Sequence, residues 1–348
     1  MDGACFGDFL SGPSPLFWEA RGFPVRYFPF ILCPFLPTGR QGPAFKAGPQ
    51  GRGCGALAGK ASEDVLKKLE KRIQSLKEKH PHYAEILDFF YKVRQRQEQV
   101  KSSMKTEPLP LKHEWRDSLR KEGFPLLQRQ DFPLDLDGCT ELFKSVCQVA
   151  KKANPFISEQ AERIEGILEE RELDLGPFLR DGLDEKKIEK IAEDFQVDKK
   201  VLAFLMQTST KPSIEANRRT VQDQVEAETW LKGFCPICGS LPFLSLLKEE
   251  TGKRFLVCSF CGHEWRADRI SCPFCENKEP GSLQFFQAEG EELYRIDLCE
   301  KCHQYIKTID ARVIEVLDPA LEDLATLHLD LVASKKGYRR PVPSSWIP

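Results

Sequence analysis

Eight cysteines between positions 235 and 302 all fall into Cys-x-x-Cys pairs: Cys235 with Cys238, Cys258 with Cys261, Cys272 with Cys275, and Cys299 with Cys302. This pattern constrains the chain more than any other feature. A Cys-x-x-Cys turn sets two sulfurs on one side of a tight loop, where backbone N–H groups can donate to them. Two such loops supply four thiolates in a tetrahedron, the donor set of Zn²⁺ or of a rubredoxin-type iron. Structural disulfides would require an oxidising compartment, and a thioredoxin-like redox pair would open a helix in a βαβ unit. Neither setting is visible, so metal binding is the reading that remains.

The gaps decide how the pairs combine. Between Cys238 and Cys258 the sequence reads strand, turn, strand: Leu241 to Leu247, a turn over Glu249-Glu250-Thr251-Gly252-Lys253, then Arg254 to Val257. Between Cys275 and Cys299 the plan repeats, with Ser282 to Ala288, a turn over Glu289-Gly290-Glu291-Glu292, and Leu293 to Leu298. The short stretch from Cys261 to Cys272 holds no clear hairpin turn. Sequential pairing follows, with Cys235, Cys238, Cys258 and Cys261 in one site and Cys272, Cys275, Cys299 and Cys302 in the other; interleaved pairing is the alternative.

Gly239 and Gly262 follow the second cysteine of each pair in the first site, where a missing Cβ eases the turn. Glu276 and His303 take those places in the second site, so its turns are expected to be strained or differently shaped. His263 and His303 lie close to cysteine pairs, but four sulfurs already complete a tetrahedron, and both are read as non-ligands. Such a ribbon buries little apolar area, so its fold must lean on the metals, each contributing on the order of 10 kcal/mol.

The other cysteines differ in kind. Cys5, Cys33 and Cys54 lie in residues 1–60, which carry 11 Gly and 8 Pro. That density reads as a disordered leader or a wrongly assigned start. Prolines interrupt its one apolar patch, Phe23 to Pro37, and early acids make it a poor signal peptide. Cys139 and Cys147 look like ordinary helix residues in 61–229, where apolar residues recur at spacings of three and four. The stripes are Val65, Leu66, Leu69, Ile73 and Leu76; Tyr83, Ile86, Leu87, Phe90 and Val93 after Pro81; Leu142, Phe143, Val146 and Cys147; and Ile164, Ile167 and Leu168, with Ser158 as N-cap. Segments around Ile188, Ile191 and Phe195 and around Val201, Leu202 and Leu205 form a helix pair joined through Gln196 to Asp198. The whole reads as an all-α bundle of about six or seven helices.

Charge narrows the partners. The chain has 51 Lys plus Arg against 53 Asp plus Glu, and the leader holds six basic residues against three acidic, so the remainder is mildly acidic. Lys232 to Glu315 carries 11 basic and 13 acidic residues, and each tetrathiolate site adds negative charge, so a nucleic-acid partner is disfavoured. No apolar run approaches the roughly 18 residues of a membrane span. No Ser-His-Asp set, phosphate-cradling glycine loop or His-Glu-x-x-His appears, so the chain does not read as an enzyme. Glu249-Glu250 and Glu291-Glu292 are paired carboxylates at hairpin turns, read as solvated charge.

These residues resemble the formate dehydrogenase accessory protein, the FdhE family. The resemblance is carried by Trp230-Leu231-Lys232-Gly233-Phe234-Cys235-Pro236-Ile237-Cys238-Gly239-Ser240-Leu241-Pro242 and by Arg254-Phe255-Leu256-Val257-Cys258-Ser259-Phe260-Cys261 running on to Glu264-Trp265. Cys272 to Cys275, Cys299-Glu300-Lys301-Cys302-His303-Gln304-Tyr305-Ile306-Lys307 and the tail from Glu322 to Leu331 and Gly337-Tyr338-Arg339-Arg340 carry it further. It covers residues 61–340, while Pro341 to Pro348 depart from the family's ending.

The resemblance implies a cytoplasmic maturation factor that binds the catalytic subunit of a molybdenum- or tungsten-dependent formate dehydrogenase. It implies two rubredoxin-like folds holding iron through the eight cysteines, with redox-sensitive partner binding. Spacing alone leaves iron and zinc both open. The expected fold class is α+β multidomain, an N-terminal helical bundle followed by two tandem rubredoxin-like or zinc-ribbon hairpin modules and a C-terminal helix. The expected division is 1–60 leader, 61–229 helical domain, 230–266 and 267–315 metal modules, and 316–348 helix and tail. A rubredoxin-type electron carrier is the alternative function, and a nucleic-acid-binding zinc ribbon a weaker one.

Overall fold

The structure, a computed structural model, describes residues 25–29, 54–107, 122–225, 230–315, 317–344 and 346, with 25–29 and 54–62 as backbone. The rest of the Gly/Pro-rich stretch, including Cys5 and Cys33, lies outside the described residues. Two of its parts are described: a strand, β1 (Val25–Pro29), and the first turns of helix α1 (Cys54–Lys79).

Helices α1, α2 (Ala84–Lys101), α3 (Leu136–Ala150), α4 (Pro155–Glu170), α5 (Leu175–Asp181), α6 (Glu185–Phe195) and α7 (Lys199–Val221) make the N-terminal bundle. The apolar stripes face inward, with Leu69, Ile73, Leu87, Phe90, Val93, Leu142, Phe143, Ile164 and Leu202 buried. Val65 departs from its stripe and stands 46% exposed. Asn154, not Ser158, caps α4: its side chain accepts from Ile157 N–H while Pro155 takes the first helical position. Ser158 instead donates its hydroxyl to Lys151 O at 2.8 Å. At the expected junction, Gln196 closes α6 in the left-handed conformation and Asp198 caps α7.

Helix α7 continues through Pro212. A proline inside a helix withholds the N–H that would reach the carbonyl four residues back. That carbonyl, Thr208 O, accepts instead from Gln97 Nε2 of α2 at 2.9 Å. Gln97 is only 3% exposed, so this bond forms inside the bundle. The orphaned acceptor that the proline creates is thereby paired, and the helix persists for 23 residues.

The C-terminal half, joined by β1 from near the N-terminus, forms one seven-stranded sheet in the order β1-β5-β6-β7-β2-β3-β4. Its first module is the antiparallel meander β2 (Pro242–Lys248), β3 (Lys253–Cys258) and β4 (Glu264–Ala267). The second repeats it as β5 (Leu283–Ala288), β6 (Tyr294–Cys299) and β7 (Gln304–Asp310). The hairpins stand where the sequence placed them, and each gains a third strand after its second cysteine pair. The modules join through a parallel pairing of β2 with β7, while β1 pairs antiparallel with β5 at the far edge.

In place of one C-terminal helix stand two, α8 (Pro319–Leu324) and α9 (Leu327–Lys335). The departing tail returns to the bundle, where Trp346 is buried against Phe90 and Phe204, with ring centroids 4.6 and 5.3 Å away. One continuous apolar core includes residues of the bundle, Cys235, Ile237, Cys258, Cys261 and Trp265 of the first module, and Leu321 and Leu324 of α8. Among the described residues no helix is long and apolar enough to cross a membrane.

Candidate metal centres

The four Cys-x-x-Cys turns share one backbone geometry. In each, the N–H of the residue after the second cysteine donates to the carbonyl of the first: Gly239 to Cys235 O (2.9 Å), Gly262 to Cys258 O (3.2 Å), Glu276 to Cys272 O (3.0 Å) and His303 to Cys299 O (2.9 Å). Those four donors all have left-handed backbone, φ +70°, +68°, +56° and +54°. The second site's turns are therefore not differently shaped. They hold the same conformation with side chains present, at a cost of roughly 1–2 kcal/mol each.

Two sets of four sulfurs converge, Cys235, Cys238, Cys258 and Cys261 in one and Cys272, Cys275, Cys299 and Cys302 in the other, each within 4.8 Å of one another. This is the sequential combination. Sγ–Sγ separations are 3.3 Å for Cys238–Cys258, 3.6 Å for Cys238–Cys261 and 3.7 Å for Cys235–Cys261. In the second set Cys272–Cys302 is 3.7 Å and Cys275–Cys299 is 3.6 Å. A tetrahedron with metal–sulfur bonds of about 2.3 Å has edges near 3.8 Å, whereas a disulfide bond is about 2.05 Å. Both clusters could hold a metal ion.

Electrostatics point the same way. Hydrogen bonds from Cys235, Cys258 and Cys261 hold the Cys238 thiol far below its ordinary value, while burial pushes Cys235 and Cys261 well above theirs. Burial thus opposes charge on Cys235 and Cys261, and a divalent cation is the natural compensation. In the second cluster burial raises Cys272, and raises Cys302 to about 11. Cys299 is lowered, because donors including the Cys302 N–H and the Asn277 amide outweigh burial. Further N–H donation to sulfur comes from Cys261 to Cys258 at 3.4 Å and from Phe274 to Cys272 at 3.5 Å.

Neither nearby histidine joins a cluster. His263 is buried beside Arg218, and burial first and that charge second lower it to about 4. His303 is exposed, its ring 5.9 Å from that of Tyr338. Cys139 and Cys147 are buried helix residues whose thiols burial pushes up, Cys139 to about 12, which makes them poor nucleophiles.

The tail motif reveals what sequence reasoning missed. Glu322, wholly buried, accepts Arg72 Nε and Nη2 at 2.8 Å each and the Tyr294 hydroxyl at 2.6 Å. It thus ties α1, β6 and α8 together. Lys307 is buried between Asp323 Oδ1 (2.8 Å) and Asp330 Oδ2 (2.7 Å), and Arg340 and the Tyr305 hydroxyl complete that network. Glu291 corrects the solvated-charge reading: it is 7% exposed, with Oε1 3.2 Å from His80 Nε2 and Oε2 2.7 Å from His328 Nε2. The corner between α1 and α2 sits over this hairpin tip, where Lys79 Nζ donates to Gly290 O. Glu249, Glu250 and Glu292 are exposed as expected.

Fold and site together define a class: a helical domain seated on a double tetracysteine ribbon and latched to it by a charged C-terminal tail. Residues 234–269 match the family described as FdhE, central domain, and residues 270–346 match FdhE, C-terminal domain. The Aquifex aeolicus protein FdhE homolog is 30% identical over 274 residues, which is 77% of this chain and 90% of that protein. The chain belongs to the FdhE family. A Pseudomonas aeruginosa FdhE homolog is 30% identical over 131 residues, 36% of this chain and 42% of that protein. The Escherichia coli protein FdhE is 32% identical over 110 residues, 31% of this chain and 35% of that protein. The crystal structure of the FdhE protein from Pseudomonas aeruginosa shares the fold, with TM-score 0.56 and 22% identity over 81% of this chain and 95% of that one.

Proposed function

We propose that the eight cysteines ligate two metal ions and that the protein is a non-enzymatic, cytoplasmic accessory factor in the maturation of formate dehydrogenase, binding that enzyme's catalytic subunit. Membership of the FdhE family supports the choice of partner, and the convergence of two four-sulfur clusters supports the metal sites. The observation that carries most is the placement of the first cluster within the core shared with the helical domain. Filling that cluster would set the shape of the surface both domains present. Either ion would staple the ribbon, and iron, favoured by the family resemblance, would add a one-electron couple.

Co-purification with the catalytic subunit tests this reading, together with Cys→Ala changes in each cluster. Weakened association in both variants is the expected result. Full binding and full maturation with both clusters emptied would refute a role for the metals. Metal analysis and an absorption spectrum on protein prepared without oxygen separate iron from zinc; colourless zinc protein after reconstitution would dispose of an electron carrier.

A further inference from the structure

The two clusters share a backbone plan but not a setting. In the first, Cys235, Cys258 and Cys261 are 0% exposed and Cys238 is 5%. The helical domain closes over both of its turns. Leu126 and Leu127 donate their N–H groups to Pro236 O and Ile237 O at 3.0 and 2.9 Å, and Lys211 Nζ donates to Phe260 O at 2.6 Å. The ring of Phe132 meets Phe260 edge-on at 5.4 Å. The glycines record the closeness of this roof: a Cβ at Gly239 would lie 3.1 Å from Pro125 Cγ, and one at Gly262 would lie 3.4 Å from Glu215 Oε1.

In the second cluster Cys272 and Cys299 are buried, but Cys275 and Cys302 are half-buried. The left-handed positions beside them carry Glu276 and His303, both exposed. Side chains fit there because, among the described residues, no part of the helical domain covers these turns; the tail touches one of them, where Arg339 N–H donates to His303 O at 2.9 Å and Tyr338 packs 5.9 Å from the His303 ring. An ion in a tetrathiolate site leaves by associative exchange, in which an incoming donor reaches the ion or a proton or electrophile reaches a sulfur. Access therefore sets the rate. At the first cluster that access requires the bundle to lift off the turns; at the second it does not.

From this difference we infer that the second cluster is the exchangeable metal site, taking up and surrendering its ion to soft thiolate or chelating donors across the Cys275–Cys302 edge, while the first retains its ion. The inference rests on the reading of both clusters as metal sites. The test uses the full chain loaded with zinc. Release to the chelating dye 4-(2-pyridylazo)resorcinol is followed in the presence of N-ethylmaleimide, and labelled cysteines are mapped by mass spectrometry. One of two equivalents should leave on the order of tenfold faster or more. At the end of that phase the label should lie on the cysteines of the second cluster, Cys275 and Cys302 foremost. Cys275→Ser should abolish the fast phase and leave the slow one. Loss of both equivalents in one phase, or first labelling at Cys235 to Cys261, overturns the inference with the metal reading intact. A wild-type chain that binds no zinc or iron overturns both.

Discussion

Glu322 should be the most costly single residue to remove from the joint between the helical bundle and the sheet. Its carboxylate is 0% exposed, and Arg72, whose side chain is 21% exposed, meets it through two charge-assisted hydrogen bonds of 2.8 Å. The Tyr294 hydroxyl adds a third at 2.6 Å, and the carboxylate raises the Arg72 pKa in turn. Glu322→Leu leaves a guanidinium and a phenol facing an apolar side chain, which costs about 3–5 kcal/mol. Arg72→Met strands the carboxylate and costs a similar amount, about 3–5 kcal/mol. The double variant leaves no uncompensated charge and should lie within about 2 kcal/mol of wild type. The expected coupling is therefore several kcal/mol. Urea unfolding of the metal-loaded chain, followed by far-UV circular dichroism and by tryptophan fluorescence, measures each corner of the cycle. The two signals should coincide in wild type and separate in either single variant, since the bond joins α1 to the sheet. Additivity within about 0.5 kcal/mol would mean that the pair carries no coupling, and the argument from burial would fail.

Gln97→Leu should leave Thr208 O unpaired inside the bundle and cost about 1–3 kcal/mol in chemical denaturation, although the substituted side chain is more apolar. Gly239→Ala should lose about 1–2 kcal/mol from its left-handed backbone and the contact with Pro125, whereas Glu276→Gly, exposed at the equivalent turn, should gain about 0.5–1 kcal/mol. Thermal unfolding of the metal-loaded proteins compares the two, and effects of the same sign would refute the argument from left-handed backbone. Burial opposes the ionisation of Glu291, yet hydrogen bonds from His328 and His80 outweigh it and hold its pKa at about 2. A depressed carboxyl stabilises the fold above its unfolded value near 4.3 and loses that contribution as pH falls towards 2. The unfolding free energy of Glu291→Gln should accordingly fall less steeply than wild type between those limits; identical slopes would show that the clasp does not form.

The cysteine pairs were legible because their chemistry is local: a turn of four residues fixes two sulfurs, and hairpin lengths fix which turns meet. The helical stripes were legible for the same reason, through periodicity. Partners distant along the chain left no such trace. Glu291 looked like turn charge because nothing near it in sequence announces His80 or His328. The third strand of each meander escaped notice because Glu264–Ala267 is short and Gln304–Asp310 follows a cysteine turn instead of a hairpin signal. A proline ordinarily ends or kinks a helix, and only the packing of α2 shows why α7 runs on through Pro212. The tail residues stood out through family resemblance, and the structure supplies their physical reason: Glu322, Asp323, His328, Asp330 and Arg340 each meet a charge or ring on another element.

The parallel pairing of β2 with β7 has a consequence in time. A ribosome emits the first module whole, with both of its cysteine pairs, while the strand that must lie beside β2 is still unmade. Arg72 waits longer still, for a carboxylate 250 residues downstream. At about 5–20 residues per second that interval lasts on the order of ten seconds or more. Once Cys261 is made the first cluster can gather its four sulfurs, but until β7 follows one sheet edge stays uncovered, and the face of α1 stays uncovered from the start. A metal ion captured early would hold the nascent ribbon in register until its neighbour arrives.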